Sequence, residues 1–107
     1  MNSDILNGRK RRPTHPGELL KEITLPAAGI TQTELADKLG VSRRTINEIL
    51  NERRSVSVDM AHRLALFFGG TADFWLNMQR AVDTWDAMQA HKKEWARIKP
   101  LEKTVGI

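Results

Sequence analysis

Apolar residues along this chain recur at the spacing of a helix, three and four apart, and nowhere alternate as a half-buried strand requires. Leu19, Leu20 and Ile23 form a first apolar side. Leu35, Ala36 and Leu39 form a second, and Ile46, Ile49 and Leu50 a third. Met60, Leu64, Phe67 and Phe68 share a fourth. The pattern predicts an all-α fold of five helices, with no internal repeat.

Local signals set the boundaries. Pro16 suits a first helical position after Thr14 or His15, and Glu18 follows in the first turn, where the helix dipole favours an acid. Pro26 and Gly29 are expected to close this helix. Thr31 and Glu34 form a capping box for the second, and Gly40 fits its left-handed stop. Ser42 caps the third helix, RRTINEIL. A polar loop runs from Asn51 to Ser57, which caps VDMAHRLALFF, and Gly69-Gly70 ends that helix. Thr71 starts a long fifth helix expected to reach about Lys99, before Pro100.

A chain of 107 residues suits one domain with one core. It contains no cysteine, which removes disulfides, thiolate nucleophiles and cysteine metal sites. No apolar run approaches the ~20 residues that span a bilayer. The N-terminal stretch lacks a secretory apolar segment, so the expected location is cytoplasmic. Lys and Arg outnumber Asp and Glu by 17 to 13, a formal net charge of +4. The excess is clustered, in Arg9–Arg12 and in two arginine pairs, Arg43-Arg44 and Arg53-Arg54. Local basic clusters are the footprint of a polyanion partner. Residues 1–12 read as a disordered basic arm, 13–90 as the folded domain, and 91–107 as a helical extension and tail.

Two short helices joined by Gly40-Val41-Ser42 have the layout of a helix-turn-helix, which fits about twenty consecutive residues of QTELADKLGVSRRTINEILN. Ala36 is small enough for the two helices to cross closely, and Gly40 tolerates positive φ. At about 100° per residue, Ile46, Ile49 and Leu50 face the core, while Arg44, Asn47, Glu48 and Asn51 face outward. Arg43 and Thr45 lie at the rims. The outward face of such a helix enters a DNA major groove, N-terminal residues first. Arg can hold guanine, and Asn adenine, through paired hydrogen bonds, so Arg44 and Asn47 are the leading base readers. Ser42 and Arg43 can reach a base or a phosphate, and Thr45 a thymine methyl or a phosphate. Glu48 either accepts from cytosine or, the preferred reading, pairs with Arg44 one turn earlier and orients it. Arg53 and Arg54 lie beyond the helix end, where phosphate contact is expected. Gln32 and Thr33, at a helix N-terminus, are further phosphate candidates.

The order RRPTHPGELL, LGVSRRTINEILN, MAHRLA and TADFWLNMQRAVDTW resembles the HigA family of antitoxins. These are also called VapI or virulence-associated protein I, of the Xre/Cro-like helix-turn-helix group. HPGE before the motif together with FWLN after it is much more specific than the motif alone. The resemblance runs from about Arg12 to Met88. It implies a lambda-repressor-like five-helix domain with an extended C-terminal helix. It also implies a dimeric repressor of its own operon, reading a palindromic operator in double-stranded DNA, and neutralisation of a HigB toxin, a RelE-like mRNA endonuclease. The arm and the tail after about Ala90 fall outside it.

On the fifth helix Phe74, Trp75, Met78, Ala81, Val82, Trp85 and Met88 occupy one broad sector. Phe74 and Met78 are expected to pack inward, and Trp75, Val82, Trp85 and Met88 are candidates for a homodimer interface, where aromatic and Met side chains are enriched. His15, His62 and His91 lie far apart and suggest surface or cap roles rather than metal binding. No nucleophile–base pair, paired carboxylates or phosphate-cradling glycine loop has supporting context, so neither catalysis nor a cofactor is expected. Two other readings fit the same residues: a stand-alone regulator without a toxin, and a protein-interaction module whose helix-turn-helix is only structural.

Overall fold

A capping hydroxyl starts four of the helices, and the local chain chemistry explains each. The computed structural model describes residues 11–102. Helix α1 spans residues 16–28, α2 Gln32–Leu39, α3 Arg43–Leu50, α4 Val58–Phe68 and α5 Ala72–Trp95. Thr31 Oγ1 accepts from the Glu34 N–H, and Glu34 Oε1 accepts from the Thr31 N–H, both at 3.1 Å, so the predicted capping box is formed. Ser42, Ser57 and Thr71 accept from the N–H three residues on in α3, α4 and α5. Gly40 ends α2 at φ 70°, a left-handed conformation that costs glycine little. The fifth helix stops at Trp95, about a turn short of the expected Lys99.

Helix α1 departs from expectation in one respect. Pro26 does not close it; the helix continues to Ala28 and ends at Gly29, φ 69°. Proline lacks an N–H and its ring crowds the carbonyl four residues back. The chain absorbs this by widening to a π-helical segment, Leu20–Thr24, in which the Leu25 N–H reaches the carbonyl of Leu20. The longer turn makes Leu25, rather than Ile23, the next buried residue after Leu20, and Ile23 is exposed.

One core joins the helices. It contains Leu20, Leu25, Leu35, Ala36, Leu39, Ile46, Ile49, Leu50, Met60, Leu64 and Trp75. Helix α2 packs on α3, α1 crosses behind α3, and α4 lies along α5. Arg63 of α4 donates to the carbonyl of Leu39 at 2.7 Å and so satisfies an end group of α2.

The HPGE stretch holds α1 against α3. Gly17 is buried, and a Cβ placed on it would land on the backbone carbonyl of Ile49. No other residue lets the two backbones approach so closely. His15, also buried, caps α1: its Nδ1 accepts from the Gly17 N–H at 2.9 Å. Only an unprotonated Nδ1 can accept, and burial pushes the imidazole pKa below its usual value, ahead of smaller effects from Glu52, Arg12, Asp83 and Asp86.

The fifth helix corrects the dimer-face expectation. Trp75 and Val82 are 4% and 1% exposed and belong to the chain's own core, so neither is available to a partner. Phe74, expected inside, is 53% exposed, and Met78 is half-buried. The inward stripe is Trp75, Gln79, Val82, offset by one residue from the more apolar stripe Phe74, Met78, Ala81, Trp85, Met88. Polar Gln79 can face inward because its amide is satisfied. Its Oε1 accepts from the Val56 N–H and its Nε2 donates to Asp83, each at 2.9 Å. Residues 89–102 are all exposed. Among the described residues no helix is long and apolar enough to cross a membrane.

Two outcomes follow from the α1–α3 contact. Gly17→Ala should destabilise the fold by at least about 1–3 kcal/mol in urea melts, because the backbone at Ile49 must move. Stability should also fall with acid through the histidine range. The His15 pKa is lowered in the fold, so the unfolded chain binds more protons just below pH 6.5 and gains from acidification. Melting temperature should drop between about pH 7 and about pH 5.5, and His15→Asn, which keeps a capping acceptor, should flatten that drop.

Candidate nucleic-acid interface

Helix α3 divides by burial as its periodicity requires. Ile46, Ile49 and Leu50 are buried, while Arg43, Arg44, Asn47 and Asn51 are exposed. The Arg44 side chain is 85% exposed. Ser42 and Thr45 stand together at the helix start, their hydroxyls 2.9 Å apart. Gln32, at the first turn of α2, accepts through Oε1 from Asn47 Nδ2 at 3.1 Å, which orients the Asn47 amide across the motif. Thr33 is exposed beside it. The structure thus brings Gln32, Thr33, Ser42, Arg43, Arg44, Thr45, Asn47 and Glu48 to one surface formed by the first turns of α2 and the outward side of α3.

Glu48 has a second partner that spacing alone did not show. It pairs with Arg44 at 3.7 Å, as preferred from sequence, but Arg54 approaches more closely, with Nη2 at 2.7 Å and Nε at 3.1 Å from Oε1. The Arg54 hydrogen bonds hold the Glu48 carboxyl below the usual carboxylate range, so it stays ionised near neutrality. Arg54 therefore starts from an ion pair at the foot of α3, whereas Arg53 is exposed without a partner among the described residues. The two members of this pair are not equivalent.

Three residues that bear on the site, Gly17, Glu52 and Asp86, went unassigned in the sequence, and a fourth, Arg12, was placed in a disordered basic arm whose residues 1–10 lie outside the described ones. Gly17 supports α3 from behind. Arg12 donates to both oxygens of Asp86 at 2.8 Å and to Glu52 at 2.6 Å, joining the chain before α1 to α5 and to the loop after α3. The glycine carried a signal, since HPGE places it in a helical first turn where alanine would otherwise be favoured. The Arg12 partners lie 40 and 74 residues away and carry no local signal.

The folded unit is thus an all-α protein built on a helix-turn-helix, with a polar, partly cationic second-helix face turned to solvent. The family model described as helix-turn-helix matches residues 20–75. Antitoxin HigA-1 of Vibrio cholerae is 41% identical over 92 residues, 86% of this chain and 87% of its own length. Virulence-associated protein I of Dichelobacter nodosus is 47% identical over 77 residues, 71% of each chain. The solved structure of Pseudomonas aeruginosa antitoxin HigA with the higBA promoter superposes with a TM-score of 0.80 at 41% identity, covering 84% of this chain and 99% of that one. The chain belongs to the HigA antitoxin family of helix-turn-helix proteins, as the sequence resemblance implied.

Proposed function

We propose that this protein is a sequence-specific DNA-binding repressor, the antitoxin of a type II toxin–antitoxin module, acting in the cytoplasm. The observation that carries the reading is the exposed face of α3, where Arg44 and Asn47 project from a helix whose opposite side is locked into the core. Its Pseudomonas aeruginosa relative, solved with the higBA promoter, has the same fold. Arg44 reads guanine and Asn47 adenine in the major groove, with Ser42, Arg43 and Thr45 at the groove edge. Gln32, Thr33 and Arg53 meet phosphates, as does Arg54 through Nη1 while its Nε and Nη2 stay on Glu48. Glu48 orients the two arginines rather than reading a base. This role uses no catalytic chemistry and no cofactor.

A second copy of the chain covers the outer stripe of α5. Phe74, Met78, Ala81, Trp85 and Met88 alternate spacings of four and three, the repeat that lets two helices pack along a seam. Trp85 and Met88 keep the dimer role expected from sequence, and Phe74 and Met78 take the places of the buried Trp75 and Val82. A two-fold dimer sets two copies of α3 about 34 Å apart, one turn of DNA. The toxin partner is a HigB-like endonuclease, a role supported by the family.

Selection of duplexes from a random library tests the DNA reading: a palindrome should emerge. On that duplex Arg44→Ala should cost about 1–3 kcal/mol and relax one base position. Arg53→Ala should weaken all sequences alike and lower the salt slope by about one. Unchanged affinity for Arg44→Ala would exclude the proposed reading face. In sedimentation the wild type should be dimeric at micromolar concentration, and Trp85→Glu should shift it to monomer. A wild-type monomer would remove the α5 interface.

A further inference from the structure

A glutamate occupies a backbone position where a glycine is expected. Helix α3 ends in a Schellman-type turn: the Arg53 N–H donates to the Glu48 carbonyl at 2.8 Å and the Glu52 N–H to the Ile49 carbonyl at 3.0 Å. The residue after the cap in this turn must be left-handed, and glycine is favoured there. Here it is Glu52, at φ 60°, the one non-glycine residue with positive φ among the described residues. Such strain persists where the surroundings over-determine the conformation. The side chain supplies the reason. Glu52 accepts from Arg12 Nη1 at 2.6 Å, and the same guanidinium forms a fork with Asp86, Nε to Oδ1 and Nη2 to Oδ2, both at 2.8 Å.

Two residues further on, Arg54 returns from this loop to Glu48, and Glu48 also faces Arg44. Charges of alternating sign thus run from the middle of α5 to the tip of α3: Asp86, Arg12, Glu52, then through the short loop to Arg54, Glu48 and Arg44. Isolated exposed ion pairs contribute little, but a forked guanidinium shared by two carboxylates has fixed geometry. Three separate segments meet at Arg12, which therefore sets the position of the loop relative to α5.

We propose that Arg12 is a positioning residue for DNA recognition: by clamping Glu52 to Asp86 it fixes the loop that presents Arg54 to Glu48, and so sets the pose of Arg44. Its charge is spent on two carboxylates, not on phosphate. This inference rests on the DNA-binding reading above. It assigns an operator-directed role to Glu52 and Asp86, acids whose removal would by charge alone strengthen binding to a polyanion.

That opposition of sign provides the test. The wild-type protein first selects a duplex from a random-sequence library, and variants are titrated against it by fluorescence anisotropy over a range of salt, with thermal melts to confirm folding. Glu52→Gln and Asp86→Asn should each weaken operator binding about three- to tenfold, although each removes a negative charge, a size typical of residues that modulate a site without touching the ligand. Arg12→Ala should weaken it similarly with the salt slope unchanged. Glu52→Gly, relieved of backbone strain, should melt no lower than wild type and still bind more weakly. The proposal is overturned if the two acid variants bind as tightly as wild type or tighter, or if Arg12→Ala lowers the salt slope by about one, the mark of a direct phosphate contact. If the wild-type protein selects no duplex, the DNA-binding reading itself fails, and this inference with it.

Discussion

Helix α3 is held by a backbone contact that admits no side chain. Gly17 in the first turn of α1 lies against the carbonyl of Ile49 on α3, and any Cβ would occupy that carbonyl's place. Side-chain packing can slide by a few tenths of an ångström when one methylene changes, but two backbones in contact have no such freedom. The buried Ile46, Ile49 and Leu50 seat α3 on the core, and the Gly17 contact fixes its height above it. His15 and Pro16 serve the same end, since they start α1 where Gly17 must fall.

From that anchoring the chemistry of the exposed face follows. A helix held along its inner side presents its outer residues in a fixed array, which is what base recognition needs. The array is further ordered by neutral and charged contacts, Gln32 on Asn47 and Glu48 on Arg44 and Arg54. These are exposed or half-exposed groups, so each is individually weak. Their value lies in orientation: they restrict long side chains, which under the proposed function reduces the conformational freedom lost on meeting DNA.

The legible parts of this fold were the local ones. Thr31 with Glu34, Ser42, Ser57 and Thr71 act within a single turn of chain, and each stands where the sequence places it. The inward and outward sides of α3 were legible for the same reason, since its apolar and polar residues separate cleanly around the helix. Helix α5 was less so. Its two stripes differ by one residue, and the inner one carries Gln79, so hydrophobicity merged them into one sector and misplaced Phe74, Met78, Trp75 and Val82. The amide is tolerated inside only because Val56 and Asp83, 23 and 4 residues away, satisfy it. Pro26 misled in a similar way, because a π-helical turn let the helix pass it. The clamp at Arg12 depends wholly on the tertiary fold.

The central claim is that α3 reads base edges in the major groove through Arg44. It is tested most directly by replacing guanines of the selected operator, one at a time, with 7-deazaguanine, which lacks the N7 acceptor but keeps Watson–Crick pairing. Wild-type affinity should fall at one guanine in each half-site, and the Arg44→Ala protein should no longer distinguish the modified base from guanine there. If every substitution left wild-type affinity unchanged, or if the Arg44→Ala protein still felt the same guanine, α3 would not be reading DNA through the proposed face.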